Sequence, residues 1–483
     1  MRIKRNIAAR AAQWSATHRK TAIWGFVALT FVLIGVFMAG GVLERQQIST
    51  VDSFNGESQQ AERALTDAGL RPTEEVALIQ SKGSTATDPA FGAVIAETAA
   101  KLEVTKHVAN VKTPAQGGGA VSDDGHSVLV DFEITGKDTD AGINVVESED
   151  TIKALQASNP DYNVEQFGGG SSEKSLNAAF QSDLGKAGMI SLPLTLLILT
   201  IVLGALVAAG VPIVLALLGV LASMAIVVIP SQLIPMDSNV DALMLLIGLA
   251  VGVDYSLFYM RREREERANG KSPQDSLQAA AATSGRAVMI SGITVIIAML
   301  GMFITGESTF ESFALATVTV VAAVMAVSLL VLPAVLAWLG DRVEKGRIPF
   351  TRKLRRPAGE SRFWSGLVTR VMRRPLLWGG AATAVLIALA IPALSMNPVQ
   401  TGTDDIPKDL PVMKTYDRFT KAFPDKTNSN EVVVKSDNAH SPRVTTAINS
   451  LIAKTEADDA FLGKSEIDYS DDGTVAQVIL PTV

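Results

Sequence analysis

The sequence predicts an α-helical polytopic membrane protein with two α+β domains of ferredoxin-like βαββαβ order outside the bilayer, and an internal repeat relating its two parts. Three observations carry this. Hydrophobic residues, 48% of the chain, gather into runs near the ~20 residues that cross a ~30 Å hydrocarbon core. Basic residues collect on alternate loops. The two long polar segments repeat each other in motif and in element order.

Seven runs are long enough to span: Thr21 to Leu43, Met189 to Ala209, Val211 to Val228, Val240 to Met260, Ala287 to Thr305, Phe313 to Leu339 and Pro375 to Leu394. The first follows Arg2, Lys4, Arg5 and Arg10, yet it is too long for a signal-peptide core and lacks a small-residue cleavage site, so it reads as an uncleaved span. Pro193 is expected to break or kink the second. Basic loops mark the cytoplasmic face: Arg2 to Lys20, Arg261 to Lys271, and Arg342 to Arg374. The opposite short loops carry only acids, Asp237 and Asp241 on one, Glu307 and Glu311 on the other. The division expected is therefore residues 1–20 as an amphipathic basic helix on the inner surface, 21–43 as the first span and 44–183 as the first outer domain. Residues 184–340 hold spans two to six, 341–374 a basic cytoplasmic linker with a second amphipathic helix, 375–395 the seventh span and 396–483 a partial second outer domain.

The net charge of −6 combines an acidic outside with basic inner loops and gives no surface for nucleic acid. With no cysteine, disulfides and thiolate metal sites are excluded. The histidines, His18, His107, His126 and His440, all lie outside the spans. No cofactor or metal is expected.

Repeats are sought before motifs. "AAQWSATHRKTAIWG" from Ala11 matches "RFWSGLVTRVMRRPLLWG" from Arg362, each a basic amphipathic helix leading into a span. "VSDDGHSVLVDFEI" from Val121 matches "YSDDGTVAQVILPT" from Tyr469, each an Asp-Gly turn followed by an alternating strand. The first outer domain reads as strand Glu75–Gln80, helix Pro89–Leu102, strand Thr105–Lys112, strand His126–Thr135, helix Gly142–Gln156 and strand Tyr162–Phe167. The second gives strand Asn430–Lys435, helix Pro442–Lys454 and two strands before Val483. The expectation is the front part of a longer protein, or a shortened form of one, with roughly five further spans beyond it.

One residue stands out chemically. Asp254, in "LIGLAVGVDYSLFYMRREREE", lies seven residues before Arg261, roughly 10 Å inside the basic boundary at 1.5 Å per residue. An ionised aspartate there costs ~2.5–3.5 kcal/mol on insertion scales. No Lys, Arg or His occurs between Lys186 and Arg261 or between Arg286 and Arg342, so the neighbouring spans offer no counter-ion. A carboxyl buried without a partner favours its protonated form, and a group exchanging protons inside the membrane is a candidate carrier. The competing reading is a protonated residue bonding two helices. Tyr255 beside it is either a packing aromatic or a proton-passing hydroxyl. Gly248, Gly252 and Ser256 recur every four residues as a close-packing stripe, and Asp254 points to the other side, so the helix is expected to be surrounded by protein. Ser291 and Thr294 on the fifth span lie near its depth and either bond to it or to their own helix carbonyls.

Other motifs carry less. "FGGGSSE" from Phe167 and "QGGGA" from Gln116 lack the lysine and context of a phosphate loop and read as flexible loops or hinges. "REREERANGK" after the fourth span reads as a solvated helix end, with anionic lipid headgroups as the alternative ligand. No Walker loop, HExxH or Gly-x-Ser-x-Gly occurs, so neither a nucleotide-driven pump nor a hydrolase has support and no enzyme activity is expected.

On "GLAVGVDYSLFYMRREREE", "SGRAVMISGITVIIAMLGMF", "FNGESQQAERAL" and "GTDDIPKDLPVMKTYDRFTKAF", the chain resembles the MMPL family of the resistance-nodulation-division (RND) superfamily over essentially its whole length. The resemblance implies an actinobacterial exporter of lipids, glycolipids or hydrophobic metabolites, driven by proton influx, with porter domains outside the cytoplasmic membrane. It implies Asp254 and Tyr255 as the proton-relay pair, with Ser291 and Phe258 beside them. A second such pair would lie in a later span that this chain does not contain. The expected partners are hydrophobic cargo, protons and membrane lipids, with a homo-oligomer or accessory membrane proteins left open. The alternatives are a lipid-sensing or scaffold protein on the same fold, or an inactive fragment of a transporter.

Overall fold

The computed structural model describes residues 7–38, 44–346, 362–396, 407–424, 429–462 and 465–482. Arg2, Lys4 and Arg5, the end of the first apolar run, most of the basic linker and the Gly402 start of the last family-like motif lie outside the described residues.

Helix α1 (Ile7–Thr17) leads into α2 (Arg19–Met38), the first span. Helix α3 (Gly56–Asp67) precedes an α+β domain of β1 (Thr73–Ser81), α4 (Pro89–Glu103), β2 (Val108–Lys112), β3 (Ala120–Val121), β4 (Ser127–Ile134), α5 (Ala141–Asn144), α6 (Val146–Ser158) and β5 (Tyr162–Gly168). The sheet order is β2-β4-β1-β5, antiparallel throughout, with the short β3 added on β4. This is the split βαβ arrangement expected from the element order. The run Val76–Ile79 is apolar without alternation because both sheet faces are covered. Ala77 and Ile79 face the core under α4 and α6 with Phe91, Leu102 and Leu155, while Leu78 and Leu129 meet a helix from much later in the chain.

From the sheet, α7 (Gly169–Leu203) continues into the membrane as one 35-residue helix. Three expectations are corrected here. The glycines of "FGGGSSE" are no hinge: Gly168 ends β5, and Gly169 to Ser171 form the first turn of α7. A Cβ on Gly168 would stand 2.4 Å from the Glu74 carbonyl oxygen and 2.6 Å from the Glu75 Cα, so only glycine permits this approach. Pro193 does not break the second span, which runs through it. The span ends at Leu203 instead of Ala209, because Gly204 takes φ 69°, the left-handed conformation that stops a helix.

The N-terminus of α7 leaves backbone donors that its own helix cannot satisfy. The Glu75 carboxylate, 1% exposed, supplies the acceptor: the Ser171 N–H donates to Oε1 at 2.8 Å and Gln166 Nε2 to Oε2 at 2.8 Å. Burial pushes the Glu75 carboxyl above the ordinary glutamate range, against the opposing pull of these bonds.

The remaining spans are α8 (Leu206–Ile226), α9 (Val240–Ala268), α10 (Pro273–Ala280) joined through a π turn at Ala281–Gly285 to α11 (Arg286–Leu300), and α12 (Ser308–Ala326) joined through a π turn at Val327–Val331 to α13 (Leu332–Leu339). The fifth helix thus opens at Pro273, well before Ala287. Helix α8 packs against α9 and α12, α11 lies on α12, and α2 rests on α8 and α13. Helix α1 is no free surface helix: Ala8, Ala12 and Ser15 are buried against α13 and the π turns. Its repeat mate α14 (Arg362–Arg373) leads into α15 (Pro375–Ala390), which is exposed along its whole length. Among the described residues, seven helices are long and apolar enough to cross a membrane, so the chain is a multi-pass membrane protein.

Helix α16 (Pro411–Ala422), β6 (Ser429–Lys435), α17 (Pro442–Thr455), β7 (Glu466–Tyr469) and β8 (Val475–Pro481) complete the described chain, with sheet order β6-β8-β7. This repeats the β1, β4, β2 part of the first domain. The match extends to atoms. Ser122 Oγ donates to Asp124 Oδ1 at 2.6 Å and accepts the Ser127 N–H at 2.9 Å; Ser470 Oγ donates to Asp472 Oδ1 at 2.7 Å and accepts the Val475 N–H at 2.9 Å. The two domains also trade helices. Phe419 and Phe423 of α16 cover Leu78 and Leu129 of the first sheet, and Arg418 forks onto Glu165. In return Arg71, just after α3, donates to Glu62 at 2.8 Å and to Glu431 of β6 at 3.1 Å.

Candidate functional site

Helix α9 has two faces, set by side-chain size. On one, Gly248, Gly252 and Ser256 are buried, and a Cβ on Gly248 would stand 2.5 Å from Val220 and 2.6 Å from Val320. On Gly252 it would stand 2.7 Å from the Ala216 Cβ. Backbones this close gain dispersion contacts that larger side chains would block. On the other face Leu246, Ala250, Asp254 and Phe258, four residues apart, form an exposed stripe. Asp254 has no hydrogen bond or ion pair among the described residues. The expected protein surround is therefore incomplete, because none of the described helices covers this stripe.

Tyr255 turns elsewhere. It is 6% exposed and packs in the cluster containing Val288, Val324 and Met325. A Cβ placed on Gly292 of α11 would lie 3.5 Å from the Tyr255 hydroxyl. The fifth span thus meets Tyr255, with Ser291 next to the contact glycine and exposed. Thr294 Oγ1 donates to the Ile290 carbonyl at 2.9 Å, the second of the two alternatives for it. The structure brings Tyr255 and the Ser291–Gly292 turn together; it does not bring Ser291 or Thr294 into a bond with Asp254.

The last two turns of α9 overturn the reading of "REREERANGK" as a solvated end. Glu263 and Glu266 are each 5% exposed. Arg262 pairs with Glu266 and, at 2.9 Å, with Glu265; Arg267 pairs with Glu263, and Lys271 with Glu266. Arg264 Nη1 donates to the Leu203 carbonyl at 2.7 Å, placing a cation on the C-terminus of α7. The Tyr259 hydroxyl, in a residue 1% exposed, donates to the Leu277 carbonyl at 3.1 Å, one turn before the first π turn. Sequence reasoning missed this lattice and Gly292. The i, i+4 alternation of Arg262/Glu266 and Glu263/Arg267 was the available signal. No group of three or more metal-ligating side chains occurs among the described residues.

The sequence model of the MMPL family matches residues 53–378. Among known proteins, the trehalose monomycolate exporter MmpL3 of Mycobacterium tuberculosis is 26% identical over 482 residues, covering 89% of this chain and 50% of that one. The mycolic acid-containing lipids exporter MmpL11 of Mycolicibacterium smegmatis is 37% identical over 218 residues, 45% of this chain and 23% of its own length. The heme uptake protein MmpL11 of Mycobacterium tuberculosis is 37% identical over 242 residues, 50% and 25% of the two chains. The chain spans about half the length of the curated relatives it matches. With the fold, the repeat and the matched region in agreement, the chain belongs to the MMPL family.

Proposed function

We propose that this chain takes part in exporting lipids or hydrophobic metabolites across the cytoplasmic membrane, driven by proton influx, with Asp254 and Tyr255 as the proton relay and the α+β domains facing outside. One observation carries the reading: a carboxylate set within a span, without a hydrogen bond or ion pair among the described residues, next in sequence to a buried tyrosine that packs toward the fifth span. Loading a proton on such a group removes a charge that hydrocarbon penalises, and unloading restores it, so the two protonation states prefer different surroundings. A proton crossing 100 mV releases ~2.3 kcal/mol, enough to shift a two-state equilibrium about fiftyfold. Two relatives named as lipid exporters support the cargo class. For the haem of the third, the histidines of this chain all lie outside the seven candidate spans and give no axial ligand there.

The test replaces Asp254 by Asn in the full transporter and measures lipid export under an imposed pH gradient. Export is expected to stop while the protein stays folded in the membrane. Unchanged export eliminates the relay, and if changes in the α+β domains alone then abolish function, the chain is a sensor or scaffold.

A further inference from the structure

Glycines inside helices cost ~0.5–1 kcal/mol relative to alanine, and in α9 close packing offsets that cost. In α7 it does not. Gly185 and Gly188, placed where the helix enters the membrane, would meet nothing within 4 Å if given a Cβ. They open a cavity of about 740 Å³ between α7, the end of α8 and the start of α9, within the ~300–1,000 Å³ of small-ligand sites. Leu192, Met224 and Leu245 form its apolar depth. Pro193 lines it too, and having no N–H it leaves the Met189 carbonyl without its helical donor.

The mouth is polar and electrically neutral. Asn177 and Gln181 lie on the same face of α7 as the two glycines and make no side-chain hydrogen bond among the described residues. Among the described residues, the only ionisable side chain in the lining, Asp241, is ion-paired with Arg45 at 2.7 Å. A charged headgroup would find no free counter-charge here, whereas hydroxyls can both donate to and accept from amides. The groove is continuous with the lipid-facing surface of α7, where Met189 and Ile190 are 71% and 70% exposed.

We propose that this groove binds one acyl chain of a bilayer amphiphile with an uncharged, hydroxyl-rich headgroup, the chain lying along Gly185–Leu192 and the headgroup meeting Asn177 and Gln181. Its identity as export cargo rests on the function proposed above; its occupancy does not.

The experiment uses the full chain in phosphatidylcholine nanodiscs with a diazirine-bearing alkyl glucoside, or an alkyl phosphate of the same chain. Glucoside adducts are expected to concentrate at Leu192, Met224 and Leu245, to be competed away by unlabelled glucoside, and to exceed phosphate adducts there about tenfold. Gly188→Phe, and separately Gly185→Phe, should fill the groove and cut these adducts about tenfold while leaving adducts at the lipid-facing Leu386 of α15 unchanged. Adducts equally dense on α15, insensitive to competition or to both fillings, overturn the site. Equal labelling by the phosphate overturns the headgroup assignment. Asp254→Asn should label as wild type, so the groove stands or falls independently of the proton relay.

Discussion

The Ser171 backbone N–H donates to the buried Glu75 carboxylate at 2.8 Å, tying the central strand of the first sheet to the first turn of α7. A buried charge at a helix N-terminus is favoured by the helix dipole and penalised by desolvation. Glu75→Ala removes the acceptor from both Ser171 and Gln166, and each orphaned donor costs ~1–3 kcal/mol. Glu75→Gln should cost less, because Gln166 Oε1 is buried without a partner and can accept from the new amide after a flip. Hydrogen exchange at residues 162–171 should show the loss for Glu75→Ala and near-normal protection for Glu75→Gln.

Stability of the first α+β domain should depend on pH in two arms. Burial raises the Glu75 and Glu173 carboxyls in the folded state. The native state therefore holds protons that the unfolded chain has released, and stability falls as pH rises from the ordinary glutamate range through the raised folded values. Asp124, held low by the Ser122 hydroxyl, works in the opposite sense: its contribution is present above the ordinary aspartate range and is lost on acidification. Glu75→Gln should shrink the upper arm to the part due to Glu173, and Asp124→Asn should shrink the lower one, read by hydrogen exchange of β1 and β4 across pH. An upper arm unchanged in Glu75→Gln would remove Glu75 as a cause.

Two kinds of helical glycine should respond oppositely to alanine. Gly252→Ala drives a methyl to 2.7 Å from Ala216 and should destabilise by ~1–3 kcal/mol through overpacking. Gly185→Ala meets open space and should stabilise α7 by ~0.5–1 kcal/mol. Thermal melting of the detergent-solubilised chain separates the two.

Arg71 links Glu62 to Glu431 across the exchanged domains. It is 35% exposed, so screening limits the pair. A double-mutant cycle with Arg71→Ala and Glu431→Gln should give a coupling of ~1 kcal/mol or less that shrinks with added salt. Coupling that ignores salt would mean that the contact acts through packing.

The span count, the βαββαβ order and the repeat were legible because each is written in local periodicity. Asp254 was legible as a lone acid in an apolar run. What failed depended on partners distant in sequence. The glycines after Phe167 look like a loop until Glu75, about 95 residues earlier, is seen to cap the helix they begin. "REREERANGK" looks solvated until the Leu203 carbonyl, about 60 residues earlier, is brought against Arg264. The close approach of Gly292 to Tyr255 depends on how two spans pack, which no pattern within either one reveals.

Helix α7 has a mechanical consequence. At 1.5 Å per residue its 35 residues form a shaft ~50 Å long. Clamped to the sheet at one end and gripped by Arg264 at the other, it is a lever arm: tilting it by ~5° carries its far end ~4 Å. With no flexible joint at the glycines, a small tilt set deep in the bilayer would reach the sheet as a displacement of several ångströms.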